Sequence, residues 1–198
     1  MLRSLFLTGL GGQGTVTLAD LLAERASRAG LKVSIFHAKG MAQRGGRVTS
    51  EIRFCDDPQL SFGARISAGG ADVLLGMEIG ETINSLPYLK NEGIVIALDQ
   101  AVVPVELLLQ KAPYPTLEEA AERFAERTRR FFAVRDAVSP NNMFLMGVFA
   151  AVAPAREADF ALFDPESLEQ AIRDRLPRAL DSSLAAFRAG LAHGQRFA

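Results

Sequence analysis

Cysteine is nearly missing from this 198-residue chain, with Cys55 the single one. One thiol makes no internal disulfide, no Cys-rich zinc site and no self-contained iron–sulfur cluster, since each needs several thiolates from the same chain. Any redox chemistry therefore has to draw on a centre held elsewhere. Histidine is scarce too: His37 and His193 alone are too few for most His-based metal sites, and no tryptophan is present to serve as a stacking platform. An excess of charge of either sign is also lacking, because 22 Lys and Arg stand against 23 Asp and Glu for a formal net charge of -1. That balance offers no global field to gather nucleic acid or to coat an anionic membrane, so any anion site must be local. No apolar run approaches the roughly 18 residues of a membrane span. The opening run Leu5-Phe6-Leu7 is broken by Gly9 too soon for a secretory segment, and the expected location is the cytoplasm.

What is present suffices for one sizeable core: 48% of the residues are hydrophobic, and the reading is a single domain over 1–198. Leu5-Phe6-Leu7 runs into a glycine loop, Gly9-Leu10-Gly11-Gly12-Gln13-Gly14. After it the apolar positions Val16, Leu18, Leu21, Leu22 and Ala26 fall at helical spacing up to Gly30, which is placed to cap a helix C-terminus. Leu31 to Phe36 reads as the second strand, so the chain opens strand, helix, strand, which favours a parallel sheet. Val48, Ser50, Ile52 and Phe54 alternate with Arg47, Thr49, Glu51 and Arg53 as in a half-exposed strand, while 71–76 and 93–98 are short, unalternating apolar runs, as in strands covered on both faces. Thr116 is a predicted N-cap, and 141–152 and 167–191 read as helices. The expected architecture is α/β: a Rossmann-like open, mostly parallel sheet with flanking helices and a helical C-terminal third.

Gly9-x-Gly11-x-x-Gly14 has dinucleotide-loop spacing between a strand and a helix, where glycines admit a tight turn and the helix N-terminus offers unpaired N–H groups to a phosphate. The bland reading is a turn that only packs the first helix onto the sheet. The carboxylate expected at the end of the second strand to hold the ribose hydroxyls is absent; His37-Ala38-Lys39 stands there, which disfavours NAD and leaves Lys39 to meet a ribose phosphate of NADP or coenzyme A, or merely water. Gln43-Arg44-Gly45-Gly46-Arg47 joins two cations to two glycines, as in a loop that receives a carboxylate or phosphate, or as in an exposed turn. Gln13 and Gln43 stand in these loops without an evident turn role, so both are candidates to face one ligand or partner. Glu78 and Glu81 are candidate acids or bases, or simple first-turn helix carboxylates. Asn141 and Asn142 are expected to cap a helix, and Cys55 to be structural. No catalytic constellation and no metal motif of the chain's own is expected.

Taken together, the two glycine loops, His37-x-x-Gly40-Met41-Ala42-Gln43-Arg44-Gly45-Gly46 followed by Val48-x-Ser50-x-Ile52-Arg53, Ala71-Asp72-Val73-Leu74-Leu75-Gly76-x-Glu78, Asn142-Met143-x-x-x-Gly147 and Ala186-Phe187-x-x-Gly190 resemble the gamma domain of the 2-oxoacid:ferredoxin oxidoreductases. The second loop looks most like that of the small, beta, subunit of the indolepyruvate branch. The resemblance spans nearly the whole chain. It implies an accessory subunit, inactive alone, whose large partner carries thiamine diphosphate and iron–sulfur clusters. The complex decarboxylates an aryl-2-oxoacid oxidatively onto coenzyme A and reduces ferredoxin. Gly9, Gly11, Gly12, Gln13, Gly14, Lys39, Gln43, Arg44, Gly45, Gly46 and Arg47 would then face the partner or a coenzyme A phosphate, with no cofactor held by this chain alone. The alternative is a stand-alone NADP- or flavin-binding protein.

Overall fold

The computed structural model describes residues 1–40, 45–135 and 137–197. Its centre is a six-stranded sheet of β1 (Leu2–Leu10), β2 (Lys32–Lys39), β3 (Arg47–Cys55), β4 (Ala71–Gly76), β5 (Leu89–Leu98) and β6 (Phe131–Val134), in the order β2-β3-β1-β4-β5-β6. β1, β4, β5 and β6 run parallel, whereas β3 is antiparallel to both β1 and β2. The helices are α1 (Thr15–Arg28), α2 (Ile79–Asn84), α3 (Val105–Gln110), α4 (Leu117–Ala125), α5 (Asn141–Arg156), α6 (Pro165–Arg175) and α7 (Leu180–Gly194).

α1 forms where the apolar spacing changes from two to about three and a half residues. It ends in a Schellman turn: Gly30 is left-handed at φ 82°, its N–H donates to the Ser27 carbonyl at 2.9 Å, and that of Leu31 to Ala26 at 3.2 Å. β2 then returns parallel to β1 but does not pair with it, because β3 lies between them. The seven residues between Lys39 and Arg47 suffice for an antiparallel return, which needs no crossover helix. This placement also corrects the half-exposed reading of β3. A central strand is covered on both faces, and Thr49 and Glu51 are buried along with Ile52.

The two faces are covered differently. On one, α1, α5, α6 and α7 pack over Leu5, Leu7, Ile52, Val73, Leu75, Ile94 and Ile96 to form the main core. α5 is apolar around its whole circumference and crosses α7 at Gly147 and Gly190; a Cβ on either would overlap a backbone carbonyl oxygen, of Phe187 and Phe144 respectively. On the other face, α2 and α4 cover β4 and β5 through Leu74, Val95, Ile79, Leu117 and Phe124, while β3 is covered by Arg65, Ile66 and the loop bearing them.

Thr116 caps α4 in a reciprocal capping box with Glu119, as expected. The last-turn arginine of α4 is Arg123. Arg127 and Arg130 lie beyond the helix, one donating to the Leu89 carbonyl and the other paired with Glu157 at 3.0 Å. The N-cap of α5 is Pro140, so Asn141 and Asn142 do not cap it. No described helix is long and apolar enough to cross a membrane.

Candidate functional site

The loops after β1, β2, β4 and β5 gather at the carboxyl edge of the sheet, where open α/β folds bind ligands. The first glycine loop is held almost entirely by its own chain. The Leu10 N–H donates to Gln13 Oε1 at 2.7 Å, and Gln13 Nε2 donates to the Met77 carbonyl at 3.4 Å. The Gln13 amide therefore faces inward and joins the loop to the end of β4, in the crevice between β1 and β4 where a dinucleotide would enter. Gly9 is required by that strut, since a Cβ there would come within 2.8 Å of Gln13 Oε1 and of the Met77 side chain. Gly14 is left-handed at φ 79° and faces Asn142, whose Nδ2 donates to the Gly14 carbonyl at 3.3 Å. Gly12, at φ 97°, has open space beside it. α1 begins without a side-chain cap and without an acidic first turn, and the neighbouring Thr15 hydroxyl is buried without a hydrogen-bond partner.

Among the described residues the second loop meets the first through a bond from the Gly11 N–H to the Gly46 carbonyl at 2.9 Å. Gly45 is left-handed at φ 69°, and the Gly40 N–H closes the base of the loop on the Arg47 carbonyl at 2.7 Å. Gln43 and Arg44 lie outside the described residues. Arg47 turns toward α2, with Nε 3.1 Å from Glu81 Oε2 and Nη2 donating to Ser85 Oγ at 3.1 Å. Lys39 is exposed at the end of β2 and has no ion-pair partner among the described residues.

Of the two candidate acids, Glu78 is structural. It is fully buried and accepts from the N–H groups of Glu81 and Val102 and from the Tyr114 hydroxyl, at 2.9, 3.2 and 3.0 Å. Burial, and then the hydrogen bond to Glu78, pushes the Tyr114 phenol well above its ordinary range. Burial also raises the Glu81 carboxyl; Arg47 opposes that shift and the Glu78 charge adds to it. His37 lies in a chain of hydrogen bonds, 2.8 Å from Ser50 Oγ and 3.2 Å from Asp20 Oδ1. The order suggests a nucleophile relay, but Ser50 is fully buried, so the chain fixes α1 against β2 and β3. Cys55 is buried and accepts from the Asp57 N–H at 3.3 Å.

Two clefts open at this edge, on opposite faces of the sheet. One, of about 330 Å³, lies between the first glycine loop, the start of α1 and Lys39. The other, of about 290 Å³, lies over β1 and β3 between Tyr88, Arg47, Arg65 and Lys39. Its floor was not foreseen from the sequence, although Glu51 in the polar row of β3 was the signal. Phe36, Glu51 and Phe6 pair in one row across β2, β3 and β1. Arg65 lies 4.5 Å above the Phe36 ring and 2.9 Å from Glu51.

Comparison with known proteins supplies what the geometry does not. Residues 4–193 match the family model described as pyruvate ferredoxin/flavodoxin oxidoreductase. The chain is 34% identical over 193 residues, 95% of itself and 94% of the relative, to the indolepyruvate oxidoreductase subunit IorB of Thermococcus kodakarensis. It is 29% identical over 172 residues, 84% of itself and 82% of the relative, to the pyruvate/ketoisovalerate oxidoreductases common subunit gamma of Pyrococcus furiosus. Among solved structures, its fold matches the gamma subunit of a keto/oxoacid ferredoxin oxidoreductase from Geobacter sulfurreducens. That match has a TM-score of 0.64 at 19% identity and covers 98% of this chain and 99% of that one. The fold also matches 31% of a longer chain, the 2-oxoglutarate:ferredoxin oxidoreductase of Magnetococcus marinus, with a TM-score of 0.68, 17% identity and 98% of this chain covered.

Proposed function

Because this chain belongs to the pyruvate ferredoxin/flavodoxin oxidoreductase family, we propose that it is the small accessory subunit of a 2-oxoacid:ferredoxin oxidoreductase whose assembled form takes indolepyruvate or a related aryl-2-oxoacid. The observation that carries the reading is the end-to-end likeness to a protein named as an indolepyruvate oxidoreductase subunit. The chain's own chemistry agrees with an accessory role. Its one thiol is buried at a strand end, and Glu78, one of the two candidate acids, is engaged by three donors. Thiamine diphosphate and the iron–sulfur clusters then belong to the larger partner, and electrons leave to ferredoxin through the complex.

A surface for that partner stands beside the carboxyl edge. Val102, Val105, Leu108 and Leu109 are all exposed on α3 and the loop before it, Leu109 at 80%. Clustered apolar exposure of this kind marks an interface on a chain of otherwise ordinary surface. Coenzyme A fits the cleft by the first loop at the level of one anionic group. The N–H groups at the uncapped start of α1 and the Lys39 ammonium would receive a phosphate there. The residues fit a dinucleotide less well, because Gln13 occupies the crevice between β1 and β4.

The test is reconstitution. The purified chain alone should show no coenzyme A-dependent decarboxylation of indolepyruvate, and activity should appear when the large thiamine- and cluster-bearing subunit is added. A Leu108→Asp, Leu109→Asp double variant should lose assembly by size-exclusion chromatography while keeping its fold by circular dichroism. Turnover by the isolated chain would remove the reading, and micromolar binding of NADP or a flavin by that chain would favour a stand-alone nucleotide-binding protein.

A further inference from the structure

The cleft over β1 and β3 lies on the sheet face opposite α1, shares only Lys39 with the cleft by the first loop, and is built from two kinds of wall. One is aromatic: Tyr88, half-buried, stacks on Phe6 with ring centroids 4.4 Å apart and an interplanar angle of 18°, and both line the cleft. The other is cationic, with Lys39, Arg47 and Arg65 at the rim. Two of these cations are already answered, Arg65 by the buried Glu51 at 2.9 Å and Arg47 by Glu81 at 3.1 Å. Among the described residues Lys39 has no such partner, so three cations against two carboxylates leave one positive charge facing the opening.

Charge and size together select a ligand. One residual positive charge suits a monoanion; a diphosphate or a nucleotide with several charges would need the arginines that Glu51 and Glu81 hold. A volume of about 290 Å³ is at the small end of ligand clefts. The aromatic wall favours a flat ring lying against Tyr88. We propose that this cleft binds a small aromatic carboxylate, its ring against Tyr88 and its carboxylate on Lys39, with the Nη groups of Arg65, whose Nε meets Glu51, as the second donor.

The inference does not depend on the partner subunit, and it is tested on the purified chain by calorimetric titration with indole-3-acetate, its neutral amide indole-3-acetamide and adenosine 5′-monophosphate. The acid should bind, and the amide should bind about tenfold more weakly, the effect of one charge-assisted hydrogen bond. Arg65→Ala removes a donor and leaves the Glu51 charge without its cation, so it should weaken the acid by more than tenfold. Arg65→Lys should restore part of the affinity, with circular dichroism confirming the fold of both variants. Tyr88→Leu should weaken acid and amide alike, about threefold to tenfold, through loss of the ring contact. Equal binding of acid and amide, no effect of Arg65→Ala on a folded variant, or tighter binding of adenosine 5′-monophosphate would each overturn the proposal.

Discussion

The two faces of the sheet are held by different means. Beneath α1, α5, α6 and α7 the contacts are dry and close, to the point that α5 and α7 touch backbone to backbone at Gly147 and Gly190. Beneath α2 and the loop bearing Arg65, buried polar groups do the work: Glu78 collects three donors and Glu51 answers both Arg65 and the Ile66 N–H. Close packing tolerates no added volume but is indifferent to proton activity; satisfied polar pairs tolerate small changes of shape but not the loss of a partner. The helical face is suited to rigidity, and the polar face to meeting ligands and partners.

Substitutions can break that contrast in order of size. Gly147→Ala should have the largest effect, because its Cβ would fall on the Phe187 carbonyl oxygen and neither helix backbone can yield without disturbing the core. A loss of about 3 kcal/mol or an unfolded product is expected by urea denaturation. A variant within 1 kcal/mol of the parent would mean that α5 and α7 slide readily. On the polar face, Glu78→Gln keeps the shape and turns one acceptor into a donor facing N–H and O–H groups. A loss of about 2 kcal/mol is expected in the same assay, and no loss would mean that these bonds do not help hold α2 and the Val102 loop.

The smallest effect is in pH dependence, and it should differ in sign between the faces. Glu169 of α6 is held below its ordinary range by the hydrogen bonds from Arg188 of α7. Its contribution is full above the unfolded carboxylate range, near pH 4.3, and is lost as pH falls through its depressed value. Glu81 is raised by burial, so its protonated form is favoured in the fold. Its contribution grows as pH falls through the raised value and levels off below the unfolded one. Glu169→Gln should therefore flatten part of the acid-side loss in a stability-against-pH curve, whereas Glu81→Gln should steepen the fall on acidification. The same change of slope from both variants would remove the contrast.

What was legible in the sequence was local. The β1, glycine loop, α1 and Gly30 succession, the Thr116 capping box and the unalternating strands β4 and β5 all follow from residues within a few positions of one another. The insertion of β3 between β1 and β2 depends on pairing across the chain, and its alternating pattern suits an exposed edge as well as a polar, loop-covered face. Gln13 is the same kind of case. Its spacing pointed outward to a ligand, but the acceptor that turns it inward is the Met77 carbonyl, 64 positions away. Asn142 likewise reads as a cap until Gly14, 128 positions away, is seen to receive its amide. Lys39 remains where the sequence pointed, at the open end of β2 and at the margin of both clefts.

The place of β3 also bears on the order in which the chain assembles. β1 has for strand neighbours only β3 and β4, so no strand pairs with it until residues 47–55 or 71–76 have been made. The glycine loop is written in the first fourteen residues, yet its outside anchors are the Gly46 and Met77 carbonyls and the Asn142 amide. A nascent chain therefore carries the motif long before it carries the geometry, and the loop takes its shape only when the middle of the protein arrives to hold it.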